Sequence, residues 1–263
     1  MKRRYSLKER QTLILQMLNE NGRVSINDLM EKFSISEVSV RKDLASLEEK
    51  KLLLRVKSGA VNLQQYNESD EFSLAKKSLK HAEEKKRIGK LAASLIHDND
   101  TIIIDSGTTT MEVAKSLGDL KHLTIITNSL SIAHYLSQLD KYSVIALGGQ
   151  IRTTSESTVG LIAENSLNNY YCDILFLGVD SINLEKGMST PNIEEASLNQ
   201  KMIKSAEKVV AVFDSSKFEK RSFAFIANID ELDTVVTDEG ITEEQKDYLE
   251  SKGIEVLIAR AEE

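Results

Sequence analysis

FSISEVSVRKDLASLEEKKLLLRVKSGA, from Phe33 to Ala60, is the stretch that decides how the first part of this chain folds. Val40, Leu44 and Leu47 recur at i, i+4 and i+7, so they share one face of a short helix. Polar residues precede that apolar face and surround it, which makes the exposed start of the helix hydroxylic and cationic. The pattern predicts a small helix with one buried face and one polar face.

Two extended segments follow this helix, Leu52–Val56 and Ala60–Leu63, with Lys57-Ser58-Gly59 as the turn between them. A helix backed by a basic hairpin suits the DNA major groove, because residues at a helix N-terminus reach base edges and cations bind phosphates. A solvated helix on any small domain has the same pattern, so this stretch alone leaves both interpretations open. Under the first, the DNA-contacting residues are Ser36, Glu37, Ser39, Arg41, Lys42, Arg55 and Lys57.

Two helix starts precede this stretch. Ser6-Leu7-Lys8-Glu9 has the spacing of a capping box, and the helix that it opens ends at Asn21-Gly22. Ser25 is placed to cap a second, shorter helix that runs through Phe33. Three short helices followed by a hairpin predict a winged helix-turn-helix domain over residues 1–63.

The same stretch resembles the DNA-binding domain of the DeoR family of bacterial transcriptional regulators. The matching residues are Ser36, Val40, Arg41, Asp43, Leu44, Leu47, Glu48, Leu54, Arg55, Gly59 and Ala60. The chain departs from the family pattern at Ser39, where Thr is usual, at Lys42, where Arg is usual, and at Lys57-Ser58, where His-Gly is usual. The resemblance implies binding to double-stranded operator DNA. Within the head, Ser36 to Lys42 would carry specificity, while Lys50, Lys51, Arg55 and Lys57 would grip phosphate.

Charge is unevenly distributed along the 263 residues. The whole chain has a net charge of −7, yet residues 1–60 carry 13 of the 34 basic and 8 of the 41 acidic residues. The first 60 residues therefore carry a net charge of +5 and the remainder a net charge of −12. A basic head on an acidic body favours a DNA-binding domain attached to a domain of another function.

Composition indicates an ordinary globular protein, with 41% hydrophobic and 29% charged residues. No apolar run approaches the roughly 18 residues of a membrane span, and the basic N-terminus lacks the apolar region of a secretory signal. Cys172 is the only cysteine, which excludes an intramolecular disulfide. These features predict a cytoplasmic protein without a membrane partner.

Residues 64–80 are polar and read as a linker. A helical stripe continues from about Leu74 to Ile96, and the charged run His81–Arg87 within it is interpreted as a solvated helix face. The predicted organisation is a head over 1–63, a linker over 64–80 and a second domain over 81–263.

From Thr101 onward, short apolar runs alternate with helical patterns, which predicts an α/β domain with a mainly parallel sheet. The expected strands are Thr101–Ile104, Leu123–Ile126, Ser143–Leu147, Ile174–Leu177, Val209–Phe213, Thr234–Val236 and Ile254–Ile258. The expected helices are Thr110–Leu117, Ser129–Leu139, Leu161–Asn168, Ile193–Ala206 and Glu243–Lys252.

Polar groups follow five of these strands, where ligands bind in parallel sheets. The segments are Asp105–Thr110, Thr127–Ser129, Gly148–Arg152, Gly178–Ser181 and Asp214–Lys217. Hydroxyls and backbone N–H groups at helix starts suit a phosphate, and Asp, Asn and Lys suit sugar hydroxyls and charge. Any single segment has an equally simple role as a turn or cap, but five together favour a shared pocket.

The candidate effector-binding residues are Asp105, Ser106, Gly107, Thr108, Thr109, Asn128, Gly148, Gly149, Arg152, Asp180, Glu194 and Lys217. Neither the G-x-G-x-x-G nor the Walker A sequence occurs, and the four His lack metal-ligand spacing. We therefore expect no cofactor and no metal.

The body resembles the DeoR-family sensor domain at Asp105-Ser-Gly-Thr-Thr-Thr, Thr127-Asn-Ser-Leu, Leu147-Gly-Gly, Leu177-Gly-Val-Asp and Asp214-Ser-Ser-Lys217. The resemblance implies a fold similar to ribose-5-phosphate isomerase and glucosamine-6-phosphate deaminase, used as a receptor for a phosphorylated sugar. By that similarity, Ser106 to Thr109 and Lys217 would hold the phosphate. Asn128, Asp180 and the Glu194-Glu195 region would face the sugar. Ser181 departs from the family, which often has Gly there.

Three functions fit the sequence to different degrees. The favoured one is a non-enzymatic repressor of a sugar-utilisation operon, a dimer or tetramer whose DNA binding is set by a sugar phosphate. The favoured function has no catalytic residue. The alternative is an isomerase or deaminase with an added DNA-binding domain, in which Asp180, Glu194 or Glu195, and Lys217 would act as acid/base groups. A constitutive DNA-binding protein with an oligomerising body leaves the polar strand ends without a role.

Overall fold

The computed structural model describes residues 5–21, 23–50, 52–56, 59–61 and 74–261. The chain divides into an N-terminal unit, residues 1–70, and a C-terminal unit, residues 71–263. Each unit is described by itself. Lys51, the predicted turn residues Lys57 and Ser58, the strand end at Leu63 and residues 64–73 of the predicted linker lie outside the described residues.

The N-terminal unit contains three helices and a small antiparallel sheet, as expected for a winged helix-turn-helix. The helices are α1 (Leu7–Asn21), α2 (Ile26–Phe33) and α3 (Glu37–Glu49); the strands are β1 (Arg23–Ser25), β2 (Leu54–Val56) and β3 (Gly59–Val61), in the order β1-β3-β2. Strand β1 was not predicted, because three residues between two helices carry too short a pattern. A Cβ on Gly59 would lie 1.9 Å from the Val24 carbonyl oxygen, so only glycine allows β3 to pair this closely with β1.

Side-chain caps begin these helices as the sequence predicts. The Ser6 N–H donates to the Glu9 carboxylate at 2.8 Å, and the Glu9 N–H donates back to the Ser6 hydroxyl at 3.3 Å. The Ser25 hydroxyl accepts the N–H of Asp28 at 3.0 Å. Ser36 caps α3 in the same way, which leaves the start of that helix with a defined geometry.

An ion pair joins α1 to α3 inside this unit. Arg10 donates to both carboxylate oxygens of Asp43, from Nε at 2.6 Å and from Nη2 at 3.1 Å, and the Asp43 side chain is only 4% exposed. Arg10 also donates to the Tyr5 carbonyl at 3.1 Å. The hydrogen bonds that Arg10 donates to Asp43 raise the pKa of Arg10. Val40, Leu44 and Leu47 of α3 are buried in the hydrophobic core of this unit.

The C-terminal unit is built on a seven-stranded sheet in which every neighbouring pair is parallel, which confirms the predicted α/β class. The strands are β4 (Thr101–Ile104), β5 (Thr124–Thr127), β6 (Ser143–Ala146), β9 (Cys172–Gly178), β12 (Ala206–Val212), β14 (Thr234–Asp238) and β15 (Glu255–Ala259). Their order is β15-β14-β12-β9-β4-β5-β6.

Helices cover both faces of this sheet. They are α4 (Leu74–Leu79), α5 (Ala82–Ala93), α6 (Thr108–Lys115), α7 (Leu130–Ser137), α8 (Leu161–Leu167), α9 (Ile193–Ser205) and α10 (Glu243–Ser251). Alternate residues of one strand face opposite layers: Ile103 packs in the core with α8 and α9, whereas Ile102 and Ile104 pack in the core with α5 and α6. In the described part of the chain, no helix combines the length and the apolar character that crossing a bilayer requires.

Two small antiparallel elements were not predicted. One is the hairpin β7 (Gln150–Arg152) with β8 (Ser157–Val159); the other is a sheet of β10 (Ser181–Asn183), β11 (Gly187–Thr190) and β13 (Ala224–Ala227). These strands are three or four residues long and mix polar with apolar side chains, so they carry little periodicity.

The predicted linker, 64–80, differs from the structure in its last part. Residues 74–79 form α4, and the N–H of Leu74 donates to the Thr154 carbonyl at 3.0 Å, so this helix belongs to the C-terminal unit. The interpretation of His81–Arg87 as a solvated face is wrong for Lys85, which is 4% exposed. Its ammonium donates to the carbonyls of Lys77 and Lys80 at 2.6 and 2.7 Å, because the last carbonyls of a helix need donors.

Candidate functional site

The order in which the chain adds strands to the sheet reverses at β4. From β4 it proceeds through α6 to β5 and through α7 to β6, whereas β9 lies on the other side of β4. Such a switch point opens a crevice at the carboxyl ends of the two strands, where ligands bind in sheets of this kind. A Cβ on Gly178 would lie 3.4 Å from the Ser106 carbonyl oxygen and 3.5 Å from Asp105 Oδ2, so the two strand ends approach closely there.

Asp105, directly after β4, is 4% exposed. Its carboxyl group accepts hydrogen bonds from the N–H groups of Ser106 and Gly178 and from the side chain of Asn199 on α9. Burial raises its pKa to about 8, and the charge of Glu195 adds to that rise. The group is therefore neutral over much of the physiological pH range, and it organises the crevice from inside.

The segment Ser106 to Thr109 leads into the start of α6. Ser106, Gly107 and Thr108 are half-buried, and Thr109 is buried. The N–H groups of a first helical turn have no partner within the helix, and together with hydroxyls they make a site for an anion. This segment brings both kinds of group to the switch point.

Asn128 reaches the same crevice from the end of β5. Its Nδ2 lies 3.4 Å from the Ser106 hydroxyl and 3.5 Å from the Thr158 carbonyl. Its Oδ1 is buried and has no hydrogen-bond partner among the described residues. An unpaired buried acceptor costs free energy, so a donor from a bound molecule would stabilise it.

Asp180, two residues after β9, joins three other elements. The Lys77 ammonium on α4 donates to its Oδ1 at 2.6 Å, and the Thr190 hydroxyl on β11 lies 3.2 Å from its Oδ2. Burial opposes ionisation of Asp180, but the positive charges of Lys77 and Lys217 and the hydrogen bonds from Lys77 and Thr190 lower its pKa overall. The carboxylate is therefore ionised at neutral pH.

A second ion pair extends this network. Arg152 on β7 pairs with Glu195 on α9, and both side chains are nearly buried. The Thr190 hydroxyl lies 3.2 Å from Glu195 Oε2 as well as from Asp180, and a single hydroxyl proton serves one carboxylate at a time. The network therefore contains Glu195. The contact described for the predicted Glu194 is that of its backbone N–H, which donates to the helix cap Asn192 Oδ1 at 2.9 Å.

Asp214 and Lys217 follow β12. Asp214 is 1% exposed; its Oδ1 accepts the N–H of Ser216 at 3.2 Å, and its Oδ2 is buried without a hydrogen-bond partner in the described part of the chain. Lys217 ends the short 3-10 helix Ser215–Lys217 and is half-buried. Because its charge acts on Asp180, the β12 end belongs to the same crevice as the β9 end.

Gly148 and Gly149 follow β6, farther from the switch point. Gly148 is exposed. Gly149 has φ +143° and a Cβ there would lie 2.5 Å from the Val159 carbonyl oxygen, so glycine is required for the turn into the hairpin. That turn places Arg152 against α9.

Sequence reasoning missed Lys77, Thr190 and Asn199. A signal for Asn199 exists, because Glu195 and Asn199 are four residues apart on one helical face and the segment starts with the cap Asn192. Lys77 and Thr190 carry no such signal, since they come from a predicted linker and an unpredicted strand. No group of three or more His, Cys, Asp or Glu within the described ranges is arranged to hold a metal ion.

The surface of α3 has the composition expected of a DNA-contacting helix. Glu37, Arg41 and Lys42 are exposed, and Ser39 is half-buried beside the exposed Ser36. The hydroxyls of Ser36 and Ser39 lie 3.1 Å apart, and Arg41 Nε donates to Glu37 Oε1 at 2.8 Å. The Arg41 guanidinium is thus held towards the N-terminal end of the helix.

Two further cations in the described part of this unit have local partners. Arg55 on β2 donates from Nε to Glu48 Oε2 at 2.6 Å, and Lys50 Nζ lies 3.5 Å from Gln11 Oε1. The side chains of Arg55 and Lys50 are exposed, so water screens these contacts.

A family model described as the DeoR-like helix-turn-helix domain matches residues 10–66, and one described as the DeoR C terminal sensor domain matches residues 80–239. A proposed transcriptional repressor of the aga operon from Escherichia coli O157:H7 is 38% identical over 95% of this chain and 93% of its own length. The transcriptional repressor GlcR from Bacillus subtilis is 32% identical over 97% of each chain. The regulator GlpR from Haloferax volcanii is 31% identical over 95% of this chain and 96% of its own.

Among solved structures, part of the chain is similar to ribose 5-phosphate isomerases. The enzyme from Neisseria gonorrhoeae matches with 19% identity and a TM-score of 0.40, over 54% of this chain and 56% of that one. The enzyme from Methanocaldococcus jannaschii matches with 18% identity and a TM-score of 0.41, over 54% and 56%.

A winged helix-turn-helix unit joined to an α/β unit with polar groups at its switch point is the architecture of a ligand-responsive transcriptional regulator. The chain belongs to the DeoR family of transcriptional regulators, since both of the family's domains match and relatives align over nearly the full length.

Proposed function

We propose that this regulator represses a sugar-utilisation operon and that a phosphorylated sugar bound at the switch-point crevice lowers its affinity for operator DNA. The observation that carries the proposal is the crevice itself, where an anion-binding helix start lies beside acceptors suited to hydroxyl groups. Its relatives, which include a proposed repressor of the aga operon, support the same direction.

The proposed binding mode divides the ligand into two parts. The hydroxyls and N–H groups of Ser106 to Thr109, with Lys217, hold the phosphate. The buried Asn128 Oδ1, which has no partner within the described ranges, and the ionised Asp180 accept hydrogen bonds from sugar hydroxyls. Arg152 acts from the rim by holding Glu195 in place.

The proposed DNA contacts come from the exposed start of α3. Ser36, Glu37, Ser39, Arg41 and Lys42 lie where a recognition helix meets base edges, and Arg55 and Lys57 contribute phosphate contacts. We assign operator binding to residues 1–63 and effector binding to residues 81–263, with α4 as part of the sensor. As a dimer or tetramer in the cytoplasm, the protein would bind two half-sites, and the ligand would change their spacing.

An isomerase or deaminase activity is the second candidate, and the contacts argue against it. Asp105 is enclosed by donors from the protein itself, and Glu195 is paired with Arg152, so neither carboxyl group is positioned as an open general base. Incubation of the purified protein with ribose 5-phosphate and glucosamine 6-phosphate tests this directly. Turnover of either compound would replace the regulator proposal by a bifunctional one.

The test of the effector site is Lys217→Ala, with Lys204→Ala as the matched control. Lys204 is an exposed lysine near the end of α9. It precedes the first residue of β12, whereas Lys217 follows the last, so the two lysines lie at opposite ends of that strand. We expect Lys217→Ala to weaken sugar-phosphate binding by about 1.5–3 kcal/mol, the range for hydrogen bonds to charged groups, with operator affinity unchanged. Equal release from DNA by both variants would remove Lys217 from the site.

A further inference from the structure

Helix α4 makes at least three polar contacts with other parts of the sensor, and one of them ends in the proposed effector site. The N–H of Leu74 donates to the Thr154 carbonyl of the β7–β8 turn at 3.0 Å. The buried Lys85 ammonium donates to the carbonyls of Lys77 and Lys80 at the end of the helix. The third contact is the ion pair between Lys77 and Asp180, at 2.6 Å.

These contacts differ in what a ligand can do to them. The hydrogen bonds of Lys85 and of the Leu74 N–H both end at backbone carbonyls within the sensor. The Lys77 contact is made to a carboxylate at the switch point, and both of its side chains are about a quarter exposed, at 26% and 25%. The Lys77 contact therefore ends at a carboxylate of the proposed effector site, whereas the other two end at backbone carbonyls.

The position of α4 in the chain gives this contact its consequence. The N-terminal unit ends at Asp70 and α4 begins at Leu74, so α4 is the first sensor element after the DNA-binding unit. Any change in how firmly α4 is held acts on the chain segment that leads to the DNA-binding unit.

We propose that the Lys77–Asp180 ion pair is the latch through which an effector controls α4: a sugar hydroxyl donating to Asp180 displaces the Lys77 ammonium and loosens the helix. This rests on the proposed function. The apo protein holds α4 and binds operator; the liganded protein releases α4 and binds operator weakly. Lys77 is a positioning residue that competes with the ligand for Asp180.

The competition has a thermodynamic consequence that a merely structural ion pair lacks. Because the ligand must displace Lys77, the latch lowers effector affinity while it raises operator affinity, so its loss should change the two affinities in opposite directions. Lys77→Gln should therefore bind effector more tightly than wild type while binding operator less tightly. This is the opposite of Lys217→Ala, which should lose effector binding and keep operator binding.

The test uses the full chain as wild type, Lys77→Gln, Lys77→Arg and Lys86→Gln. Lys86 is the matched control, because it makes an exposed ion pair with Glu83 on the neighbouring helix. Without any ligand, hydrogen exchange of residues 74–80 should be about tenfold faster in Lys77→Gln, the change expected for loss of one charge-assisted hydrogen bond. Lys77→Arg and Lys86→Gln should exchange as wild type does. Unchanged exchange in Lys77→Gln overturns the latch and leaves the proposed function standing.

The second measurement is operator affinity with ribose 5-phosphate, fructose 6-phosphate or glucosamine 6-phosphate, with inorganic phosphate as the reference anion. We expect Lys77→Gln to bind operator about tenfold more weakly than wild type without ligand, and to respond little to the compound that releases wild type. A wild-type response in Lys77→Gln overturns the latch alone. If none of the sugar phosphates binds wild type, the proposed function fails and this inference fails with it.

Discussion

Asp43→Asn should destabilise the N-terminal unit without touching the DNA-contacting face. The substitution leaves the Arg10 guanidinium, whose side chain is 16% exposed, without the carboxylate that it contacts at 2.6 and 3.1 Å. Removing one partner of a buried ion pair costs about 3–5 kcal/mol, because the remaining charge is left desolvated. A unit of some 60 residues has about 3–9 kcal/mol of stability in all, so the loss is a large share of it.

The matched control is Glu48→Gln, which breaks the Arg55–Glu48 pair on the same unit. That pair has a similar distance, 2.6 Å, but its side chains are 42% and 31% exposed. Exposed pairs contribute about 0–1 kcal/mol, so the control should change stability little. The comparison holds chemistry and distance constant and varies burial.

Hydrogen exchange in the full chain is the suitable assay, because the sequence contains no Trp to report unfolding by fluorescence. Opening free energies of the slowest amides in α1 and α3 should fall by about 3–5 kcal/mol in Asp43→Asn and by less than about 1 kcal/mol in Glu48→Gln. The C-terminal unit should exchange as in wild type. Equal small effects in both variants would refute the argument that burial, and not the contact itself, sets the cost.

Three further outcomes follow from the structure. If Arg41 contacts a base, Arg41→Ala should weaken operator binding by about 1–3 kcal/mol in a mobility shift. Lys32→Ala, at an exposed lysine on α2, is the control. An unchanged shift in Arg41→Ala would remove Arg41 from the interface. The melting temperature of Asp105→Asn should approach that of wild type, or exceed it, as the pH rises from about 5 to about 8. The reason is that the raised pKa of Asp105 gives wild type a stability that is complete below about pH 4 and lost through pH 8. Parallel melting curves across this range would contradict a buried, neutral Asp105. Gly149→Ala should lower stability by more than about 1 kcal/mol in thermal unfolding, because alanine adopts the φ of +143° poorly and its Cβ would meet Val159. A neutral effect would show that the turn shifts freely.

Long periodic segments were predictable because their burial patterns are strong. The strands of the parallel sheet are near-continuous apolar runs, and β4 was predicted with its observed bounds, Thr101–Ile104. The caps Ser6 and Ser25 were also predictable, because the residue type and the spacing to the following acidic residue are local properties.

The network around Asp180 was not predictable from one sequence. Its members Lys77, Thr190 and Arg152 come from α4, β11 and β7, which the sheet topology brings together over more than 100 residues. Short antiparallel strands give no periodic signal. The helical pattern from about Leu74 was visible, but nothing in the sequence indicates which strand end Lys77 contacts. Lys85 was misjudged for a related reason: its burial depends on carbonyls at the end of another helix.

A mobility shift on the upstream region of the protein's own operon, titrated with a panel of sugar phosphates, tests the central claim most directly. We predict that wild type binds this DNA at physiological salt and that one phosphorylated sugar lowers the affinity at least about fivefold, the low end of allosteric coupling. The same sugar without its phosphate should have no effect. Binding that no sugar phosphate alters would contradict the account, because the switch-point crevice would then have no role in regulation.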